Sequence, residues 1–280
     1  MKRKEKIRKI LCIAFAFLMS ITLFAALAVG ALRFTLLDKD FFMKELEKSG
    51  YSQTLYEKIV EELSTEGYVS GFDEEFFSQI LNADVVKAPV GSSVDRIYGT
   101  GEYKAASAEE LTEKFYNEFV KSLENRDVVV DEQQAEHIKS FAKECAEFLS
   151  SNARLPFLSV GESLVRTITP LTSYALVFLG VFTLFCIIFI TIINPNKKES
   201  LRYLSYALTG TALMTAAPSV ALLITGVLKK ISVADKALYD LIQTIGTDLS
   251  YTLLLISAIT LVLSVILTVL YFVPRKSIEQ

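Results

Sequence analysis

The sequence predicts an all-α membrane protein: four transmembrane helices, with a mostly helical extracytoplasmic domain inserted between the first and the second. Three observations predict it. Four apolar runs, Ile10–Leu32, Leu171–Ile193, Tyr203–Val227 and Tyr251–Val273, contain no Asp, Glu, Lys, Arg or His. Each reaches the length of about 20 helical residues that a hydrocarbon core requires. The stretch between the first two runs, Arg33–Thr169, is dense in charge and repeats its apolar residues at the period of an amphipathic helix. Lys and Arg gather beside alternate membrane ends, which sets an orientation.

Segregation, not total content, carries the membrane reading. A chain that is 51% hydrophobic is close to an ordinary soluble domain. A charge at the centre of a spanning helix, however, costs about 2.5–3.5 kcal/mol, and all four runs avoid it. The first run follows Lys2, Arg3, Lys4, Lys6, Arg8 and Lys9, opposed only by Glu5. Lys197, Lys198 and Arg202 lie between the second and third runs, and Arg275 and Lys276 follow the fourth. If all four runs span, these clusters share one side, expected to be the cytoplasm. Lys229 and Lys230 fall on the other side, where their long stems can snorkel to the headgroups.

The expected order is then a basic cytoplasmic N-terminus at 1–9, a first transmembrane helix at 10–32 and an extracytoplasmic helical domain at 33–169. A second transmembrane helix at 170–193, a cytoplasmic loop at 194–202 and a third helix at 203–227 follow. An extracytoplasmic loop at 228–250, a fourth helix at 251–273 and a cytoplasmic tail at 274–280 complete it. The start looks like a secretory signal, with Ala26-Leu27-Ala28 as a small-residue cleavage site. The uninterrupted apolar stretch exceeds the usual h-region of about 7–15 residues, which favours a retained signal-anchor over cleavage after Ala28.

Within 33–169, Phe41, Phe42 and Leu46 predict a short helix just after the membrane. In Ser52–Ser64, Leu55, Ile59, Val60 and Leu63 share one face, opposite Glu57, Lys58, Glu61 and Glu62. A helix from Asp73 carries Phe76, Phe77, Ile80 and Leu81. Ser107 with Glu110, and Asp131 with Gln134, read as capping boxes ahead of two longer helices. Eleven of the 19 phenylalanines lie in this domain at helical spacing, the pattern of a bundle core. Asp84–Ala106, with Pro89, Gly91, Gly99 and Gly101, breaks the pattern and is expected as a long loop, the preferred place for a binding surface. Val85 and Val86 could pair with Val128–Val130 as short strands. Ala153–Thr169 is expected either to lie on the headgroups or to continue as a stalk, with Pro170 in the first turn of the next helix.

In the third run, Thr211, Thr215 and Ser219 recur at four-residue steps among Ala207, Gly210, Ala212 and Ala216. Small residues at this spacing allow close helix approach, to another helix of this chain or to a second copy, so self-association or a protein partner is expected here. Pro218 is expected to kink the run. In the loop at 228–250, Ser232 and Asp235 cap a short amphipathic helix with Leu238, Leu241, Ile242 and Ile245 on its apolar face.

The residues exclude more chemistry than they propose. The domain at 33–169 holds 26 acidic and 15 basic residues, which argues against nucleic acid as a partner. His137 is the only histidine, and no His-Glu-x-x-His, Cys-x-x-Cys, Walker or Gly-x-Ser-x-Gly pattern occurs. No catalytic, metal or cofactor residue is therefore assigned, and no enzyme is expected. Cys145 is the lone cysteine of its domain, so a disulfide within it is impossible; its place on an apolar helix face predicts a buried thiol. The layout, one helix, a large outer domain and three further helices with both ends inside, resembles the transmembrane subunits of the cell-division and macrolide-efflux class of ABC systems. That resemblance implies a transport-linked permease subunit touching a cytoplasmic ATPase through Lys197–Arg202. The leading expectation is a bacterial cell-envelope protein that presents its domain for protein interaction or sensing. An extracytoplasmic hydrolase is the third reading and requires convergent carboxylates.

Overall fold

A computed structural model describes residues 2–105, 107–194 and 196–273. The expected tail at 274–280 lies outside the described residues. Among the described residues all regular structure is helical: α1 (Lys2–Phe34), α2 (Lys39–Lys48), α3 (Tyr51–Gly67), α4 (Glu74–Ile80), α5 (Asp84–Ile97), α6 (Ala108–Glu124), α7 (Glu132–Asn152), α8 (Leu158–Ile193), α9 (Lys197–Thr225) and α10 (Lys236–Phe272). Single 3₁₀ turns occupy Tyr68–Ser70 and Val227–Lys230. Two compact units form, one from Met1–Asp38, Ile168–Ser232 and Ile242–Gln280, the other from Lys39–Thr167 with Val233–Leu241.

The first unit is an apolar bundle. α1, α8, α9 and α10 are each long and apolar enough to cross a membrane. At about 1.5 Å per residue, the shortest of the four would still exceed a hydrocarbon core of about 30 Å. Its burial is inverted relative to a water-soluble core. Ser20, Ser205, Thr211, Thr215, Ser219 and Ser264 are buried, while Phe17, Val181, Ile188, Ile192, Leu255, Ile259 and Val265 are exposed. Large aliphatic side chains outside and small or hydroxyl-bearing ones inside are what hydrocarbon surroundings select.

α1 packs along α9. Cys12, Ala16 and Met19 meet Cys186, Ile190, Tyr203 and Ala207 in one buried cluster. The approach is close at Gly210, where a Cβ would stand 3.0 Å from Ser20 Oγ. There Thr211 Oγ1 donates to the Ser20 carbonyl at 3.2 Å as well as to Ala207 in its own helix. Thr211, Thr215 and Ser219 are all buried within this chain, and the helix that Thr211 bonds is α1 of the same chain. On its other side α9 meets α10: Ser205 Oγ lies 2.6 Å from Thr268 Oγ1, Thr209 Oγ1 lies 2.7 Å from Ser264 Oγ, and Ser257 donates to the Ala212 carbonyl at 2.8 Å. Asn194 closes the base of α8 by donating to Cys12 Sγ at 3.3 Å and to Ile190 O at 2.9 Å.

One end of this bundle gathers the basic helix ends. Arg8 in α1 lies 3.8 Å from Glu199 in α9. Lys198 Nζ donates to the Val273 carbonyl just beyond α10, at 2.9 Å.

Three expectations about element boundaries are corrected here. The segment 194–202, expected as a loop, is mostly helix, because Asn196 caps the Lys198 N–H and starts α9 at Lys197. Pro170 is interior to α8, not in its first turn. A proline removes one N–H and crowds the preceding turn. The Thr172 and Ser173 hydroxyls donate to the Thr169 carbonyl beside it, at 2.8 and 3.1 Å. The short helix expected inside 228–250 is the beginning of α10, which continues to Phe272. Asp235, not Ser232, is the cap, accepting the Leu238 N–H at 3.0 Å. Between Leu241 and Tyr251 only Gly246 weakens the helix, a cost of about 1 kcal/mol that the apolar surroundings exceed.

The second unit is a conventional helical core. α3 buries Leu55, Ile59, Val60 and Leu63 as the period predicts. α6 and α7 lie side by side; Ser107 caps the Glu110 N–H, and Asp131 and Gln134 form a complete capping box. Phe119, fully buried, is surrounded by Phe72, Phe76, Phe77, Phe115 and Phe141 at ring-centroid distances of 4.4 to 6.1 Å. Val85 and Val86 are in α5, and Val128–Val130 pair with nothing as a strand, which corrects the strand expectation.

Two outcomes follow. Phe119→Ala should cost about 3–5 kcal/mol in denaturant unfolding of the second unit, since it empties the centre of five rings. Gly210→Leu should lower the thermal midpoint of the detergent-solubilised chain, whereas Leu at half-buried Gly180, where a Cβ meets nothing within 4 Å, should leave it nearly unchanged.

Candidate functional site

The segment Asp84–Ala106, expected as a loop, is instead α5 followed by a pinned turn. Val86, Val90, Val94 and Ile97 are buried at helical spacing, and Pro89 sits within the first two turns. Pro89 and Gly91 mask that period in the sequence. After α5, Gly99 takes a left-handed φ of 68°, and the Thr100 and Gly101 N–H groups return to the Asp95 carbonyl at 2.8 and 3.2 Å. Ser92 holds the rest of the turn: its hydroxyl donates to Lys104 O and accepts from Lys104 N, both at 3.1 Å. The Asp95 carboxylate accepts from Lys39 Nζ at 2.6 Å, and that bond holds it below the usual carboxylate range.

This turn borders a groove of about 400 Å³ between α5 and the start of α6, lined by Val85, Ala88, Pro89, Lys104 and Leu111 among others. A second groove of about 770 Å³ lies between α6 and α7, lined by Glu109, Glu113, Tyr116, Lys139, Lys143 and Glu147. Both are open and shallow. Ligand pockets are usually concave and mostly apolar with a few convergent polar groups. The larger groove instead alternates carboxylates with ammonium groups along two solvated helix faces.

The sequence-level candidates for chemistry are not brought together. His137 is exposed on α7, and Glu61, Glu62, Asp73, Glu74, Glu75, Glu109 and Glu110 all face solvent. Among the described residues no three His, Cys, Asp or Glu side chains converge as a metal site would need. Cys145 is fully buried on α7, and burial pushes its thiol up to about 12. Glu45, which no sequence pattern singled out, is a fully buried carboxylate in α2. Its signal was only its position in register with Phe42 and Leu46.

The start of α10 is tied into this unit electrostatically. Lys58 Nζ donates to Asp235 Oδ2 at 2.8 Å, and the buried Tyr51 lies close enough that burial, then the Asp235 charge, raise its phenol above the ordinary range. Partial burial pushes Asp235 up, but the Lys58 bond and the Leu238 N–H outweigh it and hold the carboxyl below its usual value. Lys58 is correspondingly raised, chiefly by the same bond. A carboxyl lowered on folding contributes stability above its unfolded pKa of about 4 and loses it as pH falls through the folded value. The lysine's contribution is complete below about pH 10 and fades above it.

Asp235→Asn keeps a competent helix cap and removes only the charge. It should cost less than about 1 kcal/mol at pH 7, because the pair is partly exposed, and less again at pH 3, below the unfolded pKa. Thermal unfolding at the two pH values reads the difference. In a chain whose Cys12 and Cys186 are replaced by alanine, Cys145 should resist a maleimide at pH 8 until denaturant is added.

Compared with known protein families, with characterised proteins and with solved structures, the chain matches none of them.

Proposed function

We propose that the chain is a multi-pass plasma-membrane protein of a bacterial envelope, with both ends cytoplasmic, that presents the 33–169 region outside the cell for protein interaction or sensing. The observation that carries this reading is the gathering of Arg8, Lys198 and the end of α10 at one end of the bundle. With Lys4, Lys6, Lys9, Lys197 and Arg202 nearby in sequence, that end carries the basic excess that stays in the cytoplasm. The inverted burial of the bundle supports lipid as its surroundings. The retained first helix is supported by its packing, since cleavage after Ala28 would remove Cys12, Ala16 and Met19 from the buried cluster.

A protein partner is favoured over a small molecule because the grooves of the second unit are shallow and mixed in charge. The permease reading is weakened by the early start of α9, which leaves little free chain between α8 and α9 for gripping an ATPase. The hydrolase reading requires a cleft with facing carboxylates, and the acidic pairs are spread over solvated faces.

An alkaline phosphatase fused near Glu102 should be active and a fluorescent protein at the same site dark. The opposite pattern overturns the orientation. Photo-crosslinkers placed at Glu113 and Lys143 in intact cells should capture a discrete protein, and a crosslinker in Lys197–Arg202 should capture no ATPase.

A further inference from the structure

The basic end of the bundle is more than a distribution of charge. Two guanidinium groups are held in place there by different means. Arg202 lies over the Tyr203 ring at 5.2 Å and over the Tyr271 ring at 5.9 Å, with Nη2 donating to Tyr203 Oη at 3.4 Å. Tyr203 is buried, so this stack is anchored in the bundle core. Arg8 faces Glu199, but at 3.8 Å the pair is an ion pair without a hydrogen bond. Among the described residues, the buried Nε groups of Arg8 and Arg202 and the Glu199 Oε2 atom find no hydrogen-bond partner. Glu199 and Arg202 are three residues apart and so lie on one side of α9. Lys198, alongside, is already spent on a carbonyl.

The neutralisation is incomplete. Among the described residues, Lys4, Lys6, Arg8, Lys9, Lys197, Lys198 and Arg202 are opposed there only by Glu5 and Glu199, and Glu5 is 3.3 Å from Lys9. Immediately beside the charges are exposed apolar side chains: Ile7, Ile10 and Leu11 on α1, Tyr206 on α9 and Phe272 on α10. A free phosphate has no use for that apolar rim. A phospholipid uses both, with its phosphate on the guanidinium groups and its chains along the rim.

We propose that Arg8 and Arg202, with the Tyr203 and Tyr271 rings, form a site for the headgroup of an anionic phospholipid. The proposal rests on the membrane-spanning reading above. The stack on two tyrosines fixes the Arg202 fork, and a planar, pre-oriented guanidinium meets a phosphate with two parallel donors, which an ammonium cannot do. The lipid phosphate supplies an acceptor for the outer guanidinium nitrogens, which Glu199, 3.8 Å from Arg8 Nη2, does not.

The full chain in detergent, titrated with phosphatidylglycerol, phosphatidylcholine or inorganic phosphate, tests this by native mass spectrometry. Phosphatidylglycerol adducts should persist where phosphatidylcholine adducts do not, and inorganic phosphate should not displace them at equal concentration. Arg202→Gln and Arg8→Gln should each reduce phosphatidylglycerol retention about five-fold, about 1 kcal/mol for each basic residue near an anionic surface. Arg202→Lys should restore only part of the loss, which a pure charge effect would restore in full. Lys229→Gln, in the loop between α9 and α10, should change nothing. Equal retention of the two lipids, unchanged retention in both arginine variants, or displacement by phosphate overturns the site. Carbonate extraction of native membranes keeps the two readings apart: a chain that resists extraction yet shows no lipid preference removes only this inference, and a chain that is released removes both.

Discussion

The bundle depends on how closely α1 and α9 can approach. In hydrocarbon, apolar side chains gain nothing by leaving their surroundings, so helices associate through tight van der Waals packing and hydrogen bonds. Gly210 admits the Ser20 side chain, Thr211 bonds the opposite backbone, and Ala16 and Ala207 keep the seam narrow. Everything else follows from that contact. It places Tyr203 in the core, turns Ser205 and Thr209 toward α10, and brings Arg8 and Glu199 to the same end. A bulky residue at Gly210 would act on all three at once.

The two units reach stability by opposite rules. The bundle buries hydroxyls and exposes aliphatic residues, and most of its buried hydroxyls answer a carbonyl one turn back in their own helix. Thr215 to Thr211 and Ser219 to Thr215 are examples, at 2.9 and 3.1 Å. The second unit buries rings around Phe119 and gives its capped helix ends, its glutamines and most of its charges, though not Glu45, to solvent. Aromatic pairs contribute about 0.5–1.5 kcal/mol beyond area, so the offset and edge-on contacts around this one ring add to ordinary burial.

Much of the architecture was legible in the residues. The four apolar runs, the α3 face, the Asp131–Gln134 box and the burial of Cys145 are local signals, set by period and spacing, and local signals survive into the fold. The failures share a cause. Asp84–Ile97 was hidden because Pro89 and Gly91 are breakers only when packing does not overrule them, and Val86, Val90 and Val94 supply that packing. Pro170 and the 228–250 region failed alike, since a helix that can continue to bury or shelter its backbone does so through one weak residue. The hydroxyl cluster of Ser205, Thr209, Ser264 and Thr268 was half visible: the α9 partners lie in a small-residue run, but pairing with α10 needs three dimensions. The Arg202 stack was hidden for the same reason, because Tyr271 is distant in sequence. The grooves of the second unit have no sequence signal beyond exposed charge.

The burial of every cysteine has a bearing on how this chain can be made. Cys12 and Cys186 sit in the bundle seam and Cys145 within the second unit, all as free thiols. Maturation thus demands no oxidase or isomerase on either side of a membrane, and reducing agents should neither hinder nor help it. The architecture is indifferent to the redox poise of its compartment.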